Sequence, residues 1–412
     1  MISATQAPSA KATGSGPIVL AFSGGLDTSF CIPWLRETYG RPVVTVTVNC
    51  GGIDAAAARQ LDERARALGA ADHRLVEARP EFFAKVIKYL IMGNVRRGNM
   101  YPLSVGAERG LQASYLAKLA KELGSDTVAH GCTAAGNDQV RFEIVLKAVA
   151  PELTILAPVR DQGWQRPAQV KFLEERKMPV PTRGSAYSTN RGLWGVTIGG
   201  TETLDSKGSI PESAWVLSAG ALDKPQPFSE IEIEFARGVP VALNGERLDP
   251  VALIEKIESL GARYGIGRGI HLGDTLIGTK GRVAFEAPAA EILINSHREL
   301  EKLTLTGTQA RVKEPVSAEY GQFIHEGKQL DPVCRDIEAL LASSQQRVSG
   351  KVRVQLRPGS LFVLGVTSPH SLMAVSRGKY GEAAGEWTPA DALGFSKIMA
   401  LPGMFHTRAG GE

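Results

Sequence analysis

From Pro17 the chain reads PIVLAF, a short unbroken apolar run of the kind that forms a strand covered on both faces. The polar turn SGGLD follows, and then a stretch of helical spacing from Thr28 to about Glu37. The pattern repeats with a second β-rich run at Val43 to Val48, an Ala- and Arg-rich helix over about 55–68, and the strand-like HRLVEA. A third pass gives a helix over about 106–123 and the strand TVAHG at 127–131, ending in a glycine loop. Strand, helix and strand in alternation predict a parallel sheet with crossover helices. In such a sheet a ligand sits beyond the carboxyl ends of the strands, near the point where strand order switches.

Beyond Pro179-Val180-Pro181 the texture becomes glycine-rich and β-prone. EIEIEFARGVPVALNG, from Glu230 to Gly245, alternates as an exposed antiparallel hairpin does, and KVRVQLRPGSLFVLGV after Gln345 predicts another. The chain then shortens into turn-rich segments and a polar tail. The expected organisation is therefore α/β: a leader over 1–16, a parallel-sheet nucleotide-binding domain over 17–181, an α+β domain over 182–370, and a C-terminal arm over 371–412. Such arms often mediate oligomers.

Composition narrows the function classes. With 412 residues and 43% hydrophobic content the chain can bury a large core. Its formal charge of +4 is small, and the basic residues are dispersed, so nucleic-acid binding has no compositional support while anionic small molecules are compatible. Cys31, Cys50, Cys132 and Cys334 lie far apart without a C-x-x-C pair, which argues against a zinc site or a disulfide framework and fits a reducing cytoplasm. The opening MISATQAPSAKATGSGP lacks a signal-peptide apolar core and is expected to be disordered. No apolar run approaches the roughly 18 residues of a membrane span.

Ser23-Gly24-Gly25-Leu26-Asp27-Thr28-Ser29 lies between a predicted strand and a predicted helix, where backbone N–H groups and the helix dipole favour an anion. Gly24 and Gly25 let the backbone approach phosphate oxygens, Ser23, Thr28 and Ser29 offer hydroxyls, and Asp27 is placed to help hold magnesium. The alternative is a plain Gly-rich turn with Asp27 as a helix cap, but the full heptapeptide in this context favours nucleotide. A Walker loop is absent. The second block runs HGCTAAGNDQVRFE from His130 to Glu143. Gly131 and Gly136 permit a tight loop, Thr133, Asn137 and Asp138 suit the polar groups of an amino acid, and Arg141 offers a fork for a carboxylate. His130, beside a glycine loop, reads as a structural hydrogen-bonder in preference to a general base.

SGGLDTS resembles the pyrophosphate loop of the ATP-pyrophosphatase enzymes, and HGCTAAGNDQVRFE is similar to the HGxTxKGNDxxRFE block of the argininosuccinate synthases. RYGIGRG at 263–269, TKGR at 279–282, FEAP at 285–288 and the late hairpin extend that resemblance over nearly the whole chain after the leader. It implies a ligase that cleaves ATP to AMP and pyrophosphate and joins aspartate to an activated ureido or amide carbonyl, with ATP and Mg2+ required and a homo-oligomer, a tetramer, expected. It also implies that Ala21, Phe22, Ser23, Gly24, Gly25, Leu26, Asp27, Thr28 and Ser29, with Val48 and Gly131, surround ATP, and that Ser23, Asp27 and Ser29 act on its phosphates. Thr133, Asn137 and Asp138 would hold aspartate. Tyr101, Gly106, Asn137, Arg141, Ser188, Thr197, Gly273 and Phe285 would fall around the acceptor, which is citrulline in the family.

The acceptor end departs from the family pattern. A gapless alignment puts Gly273 where the family has a glutamate and Phe285 where it has a tyrosine, both of which contact citrulline; Gly106 replaces a serine and Ala135 a lysine. An unpaired α-ammonium would then be buried at a cost of about 1–3 kcal/mol or more. Two readings stay open: citrulline retained, or an acceptor lacking the ammonium. Rivals of other classes are a catalytically silent nucleotide-binding paralogue, against which the intact loops argue, and a tRNA sulfur-transfer enzyme, against which the modest charge and missing cysteine pair argue.

Overall fold

The structure, a computed structural model, describes residues 14, 16–181, 187–376 and 386–410. Almost all of the expected leader lies outside the described residues, as do 182–186 beside the expected domain boundary. Five parallel strands build the first sheet: β1 (Ile18–Ala21), β2 (Val43–Asn49), β3 (Asp72–Glu77), β4 (Thr127–Ala129) and β5 (Thr154–Leu156). Their order is β3-β2-β1-β4-β5. β2 is buried along its whole length because helices cover both faces, which is why it reads as continuous Val and Thr. Side chains of β1 alternate accordingly: Ile18 and Leu20 join the cluster with Phe30, Ile32 and Leu35 of the helix Leu26–Tyr39, while Val19 packs with Leu116 and Ala113 of the helix Arg109–Glu122. Strand order switches between β1 and β4, so the loops after these two strands leave to opposite sides and open a crevice.

The second part carries two antiparallel sheets. Its strands are β6 (Ser188–Gly192), β7 (Gly195–Gly199), β8 (Ser229–Ala236), β9 (Val239–Leu243), β10 (Glu246–Arg247), β11 (Arg268–Asp274), β12 (Lys280–Glu286), β13 (Gly350–Arg357) and β14 (Ser360–Thr367). One sheet has the order β11-β12-β7-β6 and the other β10-β9-β8-β13-β14. The β8–β9 hairpin is exposed on one face only. Ile231, Ile233 and Phe235 enter the core, while Glu230 and Glu232 on the opposite face pair with Arg353 and Lys351 of β13.

The two parts share one core, and the β6–β7 turn docks them. Leu193 N–H donates to Cys50 O at 2.9 Å, and the fully buried Trp194 donates its indole N–H to Pro102 O at 3.0 Å. Gly51, at φ +128°, has no room for a side chain, since a Cβ there would stand 2.1 Å from Leu193 N.

The C-terminal arm differs from the expected turn-rich tail. Residues Pro389–Arg408 form one helix, opened by a reciprocal Thr388–Asp391 cap. Gly394, Pro402 and Gly403 hide it from a propensity reading, since proline inside a helix removes a hydrogen bond and clashes with the preceding turn. Its Phe395, Ile398, Met399 and Phe405 are more than half exposed. Among the described residues no helix is long and apolar enough to cross a membrane.

Trp194→Ala should leave a cavity at the docking point and orphan Pro102 O. We expect a loss of about 3–5 kcal/mol, seen as an earlier unfolding transition in guanidinium. An unchanged midpoint would show that the turn does not hold the two parts together.

Candidate active site

The loop Ser23–Ser29 stands at the carboxyl end of β1. Gly25 is the N-cap of the following helix and, having no side chain, leaves the first-turn N–H groups open to an anion. Gly24 adopts φ +74°, and a Cβ there would collide with Leu61 Cδ2 at 2.5 Å. Arg64 donates to Gly24 O at 2.7 Å and brings a cation behind the loop. Ser23 is exposed, with Oγ 3.2 Å from Thr28 Oγ1, so both hydroxyls face the crevice side of the turn. Ser29, expected to offer its hydroxyl to phosphate, is instead fully buried with Oγ 3.5 Å from Gly24 O, where it braces the loop. Asp27 Oδ1 accepts from Gln169 at 2.9 Å. Among the described residues no three ligating side chains gather into a metal cage. A lone carboxylate beside open backbone donors does fit magnesium, which takes its other ligands from phosphate oxygens and water.

The second block meets the first across the switch point. A Cβ on Gly131 would stand 3.1 Å from Thr28 N and 3.2 Å from Asp27 C, so only glycine lets the two loops touch. Val48, the penultimate residue of β2, is buried. Thr133 is exposed on the loop, and Asn137, at the start of the helix Asp138–Val149, accepts Leu276 N–H through Oδ1 at 2.8 Å. Asp138 is gripped on both oxygens: Arg109 Nε donates to Oδ2 at 2.9 Å and Arg141 Nη1 to Oδ1 at 2.8 Å. Burial opposes its ionisation, but Arg109 and Arg141 outweigh that and hold it at about 2.

His130 is buried, and its Nδ1 accepts Cys132 N–H at 3.3 Å. Burial, with Arg160 nearby, pulls it down to about 4, so at neutral pH it is an uncharged structural group. Burial pushes the Cys132 thiol up to about 12, which removes the thiolate that sulfur transfer needs.

Beyond Asp138 opens a cavity of about 230 Å3. Of the residues assigned to the acceptor, Tyr101, Gly106, Asn137, Arg141, Thr197 and Gly273 line it. Gly106 lets Arg141 in, since a Cβ there would come within 3.3 Å of Nη2. Phe285 lies behind the wall, beside Thr197 across the β7–β12 pair, and supports the Tyr101 ring at a centroid distance of 5.1 Å. Ser188, at the exposed start of β6, does not line the cavity. Leu103, buried at φ +66°, marks a strained backbone between Tyr101 and Gly106. A larger cavity, about 790 Å3, lies beyond β2; the arginines Arg79 and Arg191 on its wall are engaged by Glu255 and Glu258.

The sequence reading missed Arg97, Glu108, Arg109, His271 and His325. Each is a single polar residue in a helix, strand or turn, with no motif around it to announce a partner far along the chain. Arg141 shows the distances involved: its Nε donates to His325 O at 2.8 Å and its Nη2 to His325 Nδ1 at 3.1 Å, 184 positions away. Glu108 is the most unusual member. It is nearly fully buried; Oε1 accepts from Arg109 at 3.1 Å and Gln112 at 3.2 Å, while Oε2 has no partner among the described residues. Burial raises it to about 7 despite Arg109.

Residues 17–179 match the family profile described as the arginosuccinate synthase N-terminal HUP domain, and residues 187–406 the profile of the arginosuccinate synthase C-terminal domain. The chain is 38% identical over 397 residues to an argininosuccinate synthase of Dictyoglomus turgidum, covering 96% of this chain and 98% of that protein. It is 37% identical over 389 residues to that of Methanocaldococcus jannaschii, covering 94% and 97%. Against the enzyme of Xanthomonas campestris pv. campestris the identity is 39% over 399 residues, covering 94% and 97%. The chain belongs to the argininosuccinate synthase family.

The position of Glu108 predicts a pH signature. A carboxyl near 7 when folded and about 4.3 when unfolded keeps, in that window, a proton the unfolded chain has lost, so its contribution falls as pH rises and is fully unfavourable above the folded value. Glu108→Gln lacks this titration. Its stability relative to the parent should improve between about pH 5 and about pH 8 by on the order of 1–3 kcal/mol, read from denaturant midpoints. A pH-independent difference would place the carboxyl in contact with water.

Proposed function

We propose that this member of the argininosuccinate synthase family is a carbon–nitrogen ligase that joins the amino group of aspartate to the ureido carbon of a citrulline-type acceptor, consuming ATP and forming AMP and pyrophosphate. The observation that carries the reading is the contact of Gly131 with Asp27–Thr28. It sets a loop suited to phosphates and a block suited to an amino acid against one another at the strand-order switch, with the acceptor cavity on the far side of Asp138.

The acceptor's carbonyl oxygen attacks the α-phosphorus of ATP, and pyrophosphate leaves with the bond electrons. The aspartate amine then adds to the activated carbon. AMP departs with the former carbonyl oxygen, and the amine's proton passes to solvent. The chain's part is to position and to neutralise: the open N–H groups after Gly25, with Ser23 and Thr28, receive the departing pyrophosphate, and Thr133 and Asn137 orient aspartate. Asp138, ionised and held by one arginine on each oxygen, keeps a further lone pair on each to accept from the aspartate amine. Asp27 would hold magnesium, which supplies charge neutralisation to the phosphates when bound. His130, uncharged and turned to a backbone N–H, is not needed as a base.

Citrulline itself as acceptor is supported by the shared name of the relatives. A second reading, an acceptor without an α-ammonium, is favoured by one observation: no carboxylate projects from Gly273 into the cavity. We also propose a homo-oligomer in a reducing cytoplasm. The bare apolar side chains of the helix Pro389–Arg408 support the assembly, and four unpaired thiols support the compartment.

Pyrophosphate release beyond a single equivalent per site should require ATP, aspartate and a ureido acid together. Asp27→Asn should lower kcat/KM by on the order of a hundredfold or more without altering the fold. Unchanged turnover in that variant, or no pyrophosphate with any ureido acid, would overturn the assignment.

A further inference from the structure

The far end of the acceptor cavity is built from donors. Four arginines, Arg97, Arg109, Arg141 and Arg282, line it against two aspartates. Neither aspartate is free: Asp138 is held on both oxygens, and Asp274 turns to the rim to pair with Lys280 at 2.5 Å. Arg109 and Arg141 are matched by Asp138, and Arg282 donates to the backbone carbonyls of Glu202, Asp205 and Gly208. Arg97, which has fewer such bonds than Arg282, lies beside Gly273. Its Nη2 donates to Asp274 O at 2.7 Å and its Nη1 reaches His271 Nε2 at 3.4 Å, so among the described residues its hydrogen bonds go to a carbonyl and an imidazole, and the Asp274 carboxylate acts on it only through space.

Two details aim this charge at a ligand. His325, one of the residues lining the cavity, is 3% exposed, and its Nδ1 faces the donor Arg141 Nη2 at 3.1 Å; the ring proton therefore sits on Nε2, which is buried and has no partner among the described residues. Burial, with Arg141 and Arg97, pulls this histidine down to about 3, so the ring is a neutral donor. At Gly273 a side chain would leave the strand toward Arg97 and His271: its Cβ would lie 3.0 Å from Arg97 Nη1 and 2.6 Å from His271 Nε2. Where a carboxylate would have received an ammonium, a ligand meets a guanidinium instead.

We propose that the acceptor is a ureido acid whose head is anionic and bears no ammonium, with Arg97 and the His325 Nε2–H group receiving a head carboxylate beside Gly273. This rests on the proposed ligase reading, which supplies the ureido end, and it adds the chemistry of the other end. An ammonium at this place would face a guanidinium whose hydrogen bonds go to neutral groups. A carboxylate would give the arginine an anionic partner with fork geometry and the imidazole N–H an acceptor.

The test measures pyrophosphate release with ATP and aspartate, using citrulline, 5-ureidopentanoate (citrulline without its α-amino group) and 2-(3-ureidopropyl)malonate, in which a second carboxylate replaces the ammonium. At least one of the two ammonium-free acids should exceed citrulline in kcat/KM by about tenfold or more, the worth of one charge-assisted contact. Arg97→Gln should erase that preference, mainly through KM for the anionic acid, and Arg97→Lys should restore part of it. Citrulline used better than both acids, or a preference that survives Arg97→Gln, overturns the proposal while leaving the ligase reading intact. Silence with all three acids overturns both.

Discussion

Arg141 is the constraint around which the site is organised. One guanidinium joins the helix Asp138–Val149, the end of the helix Gly307–Glu326 and, through Asp138, Arg109 at the head of a third helix. Glycine at 106 makes room for it and glycine at 327, at φ +79°, packs against its Cα at a distance that excludes a side chain. Because arginine stays charged in any surrounding, its burial demands partners, and each partner comes from a different stretch of chain. The carboxylate it fixes cannot swing, and the cavity beyond inherits its shape from that rigidity. Removing such a group would leave Asp138 with half its partners and His325 without its tautomer-setting donor.

In the first half of the fold β1–β4 and the helices over about 28–37, 55–68 and 106–123 were legible because they obey local rules, whereas β5 and the helices Asp138–Val149 and Arg166–Glu175 were not read. β1 and β2 are continuous apolar runs, the turn after β1 carries two glycines, and each helix starts where the apolar pattern changes period. The β8–β9 and β13–β14 hairpins were legible from alternation, although the inward face of the first, Ile231, Ile233 and Phe235, is core and not surface. The helix Pro389–Arg408 was not legible. Gly394, Pro402 and Gly403 each argue against a helix, and an apolar face left in solvent gives no amphipathic signal pointing to a core of its own chain. Local propensity there conflicts with the observed state, which is what a segment shaped by contacts outside its own chain would show.

For the site, the sequence marked positions where backbone must come close: Gly24 and Gly131 both stand where a Cβ would crowd Leu61 or the facing loop. Motifs of this kind are visible because loops need special residues at fixed spacing. Ser29 was assigned by its place in such a motif, and the strand-to-helix geometry turned its hydroxyl inward. Glu108, Arg97 and His325 carry no spacing signal at all. Their roles arise from burial and from partners such as His271, 174 positions from Arg97, which no periodicity encodes.

The same contrast explains how a chain with a formal charge of only +4 can serve anionic substrates. Net charge is a poor guide because most arginines near the crevice are engaged before any ligand arrives: Arg109 and Arg141 by Asp138, Arg160 by Glu143 and Asp161, Arg79 and Arg191 by glutamates. Their fields largely cancel within a few ångströms, so they shape the walls without adding long-range attraction. In the proposed reading, selectivity falls to the few donors without an anionic partner among the described residues: the N–H groups after Gly25 at one end, and at the other Arg97, hydrogen-bonded to neutral groups, and His325 Nε2. A buried donor without a partner is unfavourable in the empty protein, and a ligand that satisfies it is favoured over one that does not by the same margin. On the proposed reading these groups, and not the total of basic residues, are where substrates would be told apart.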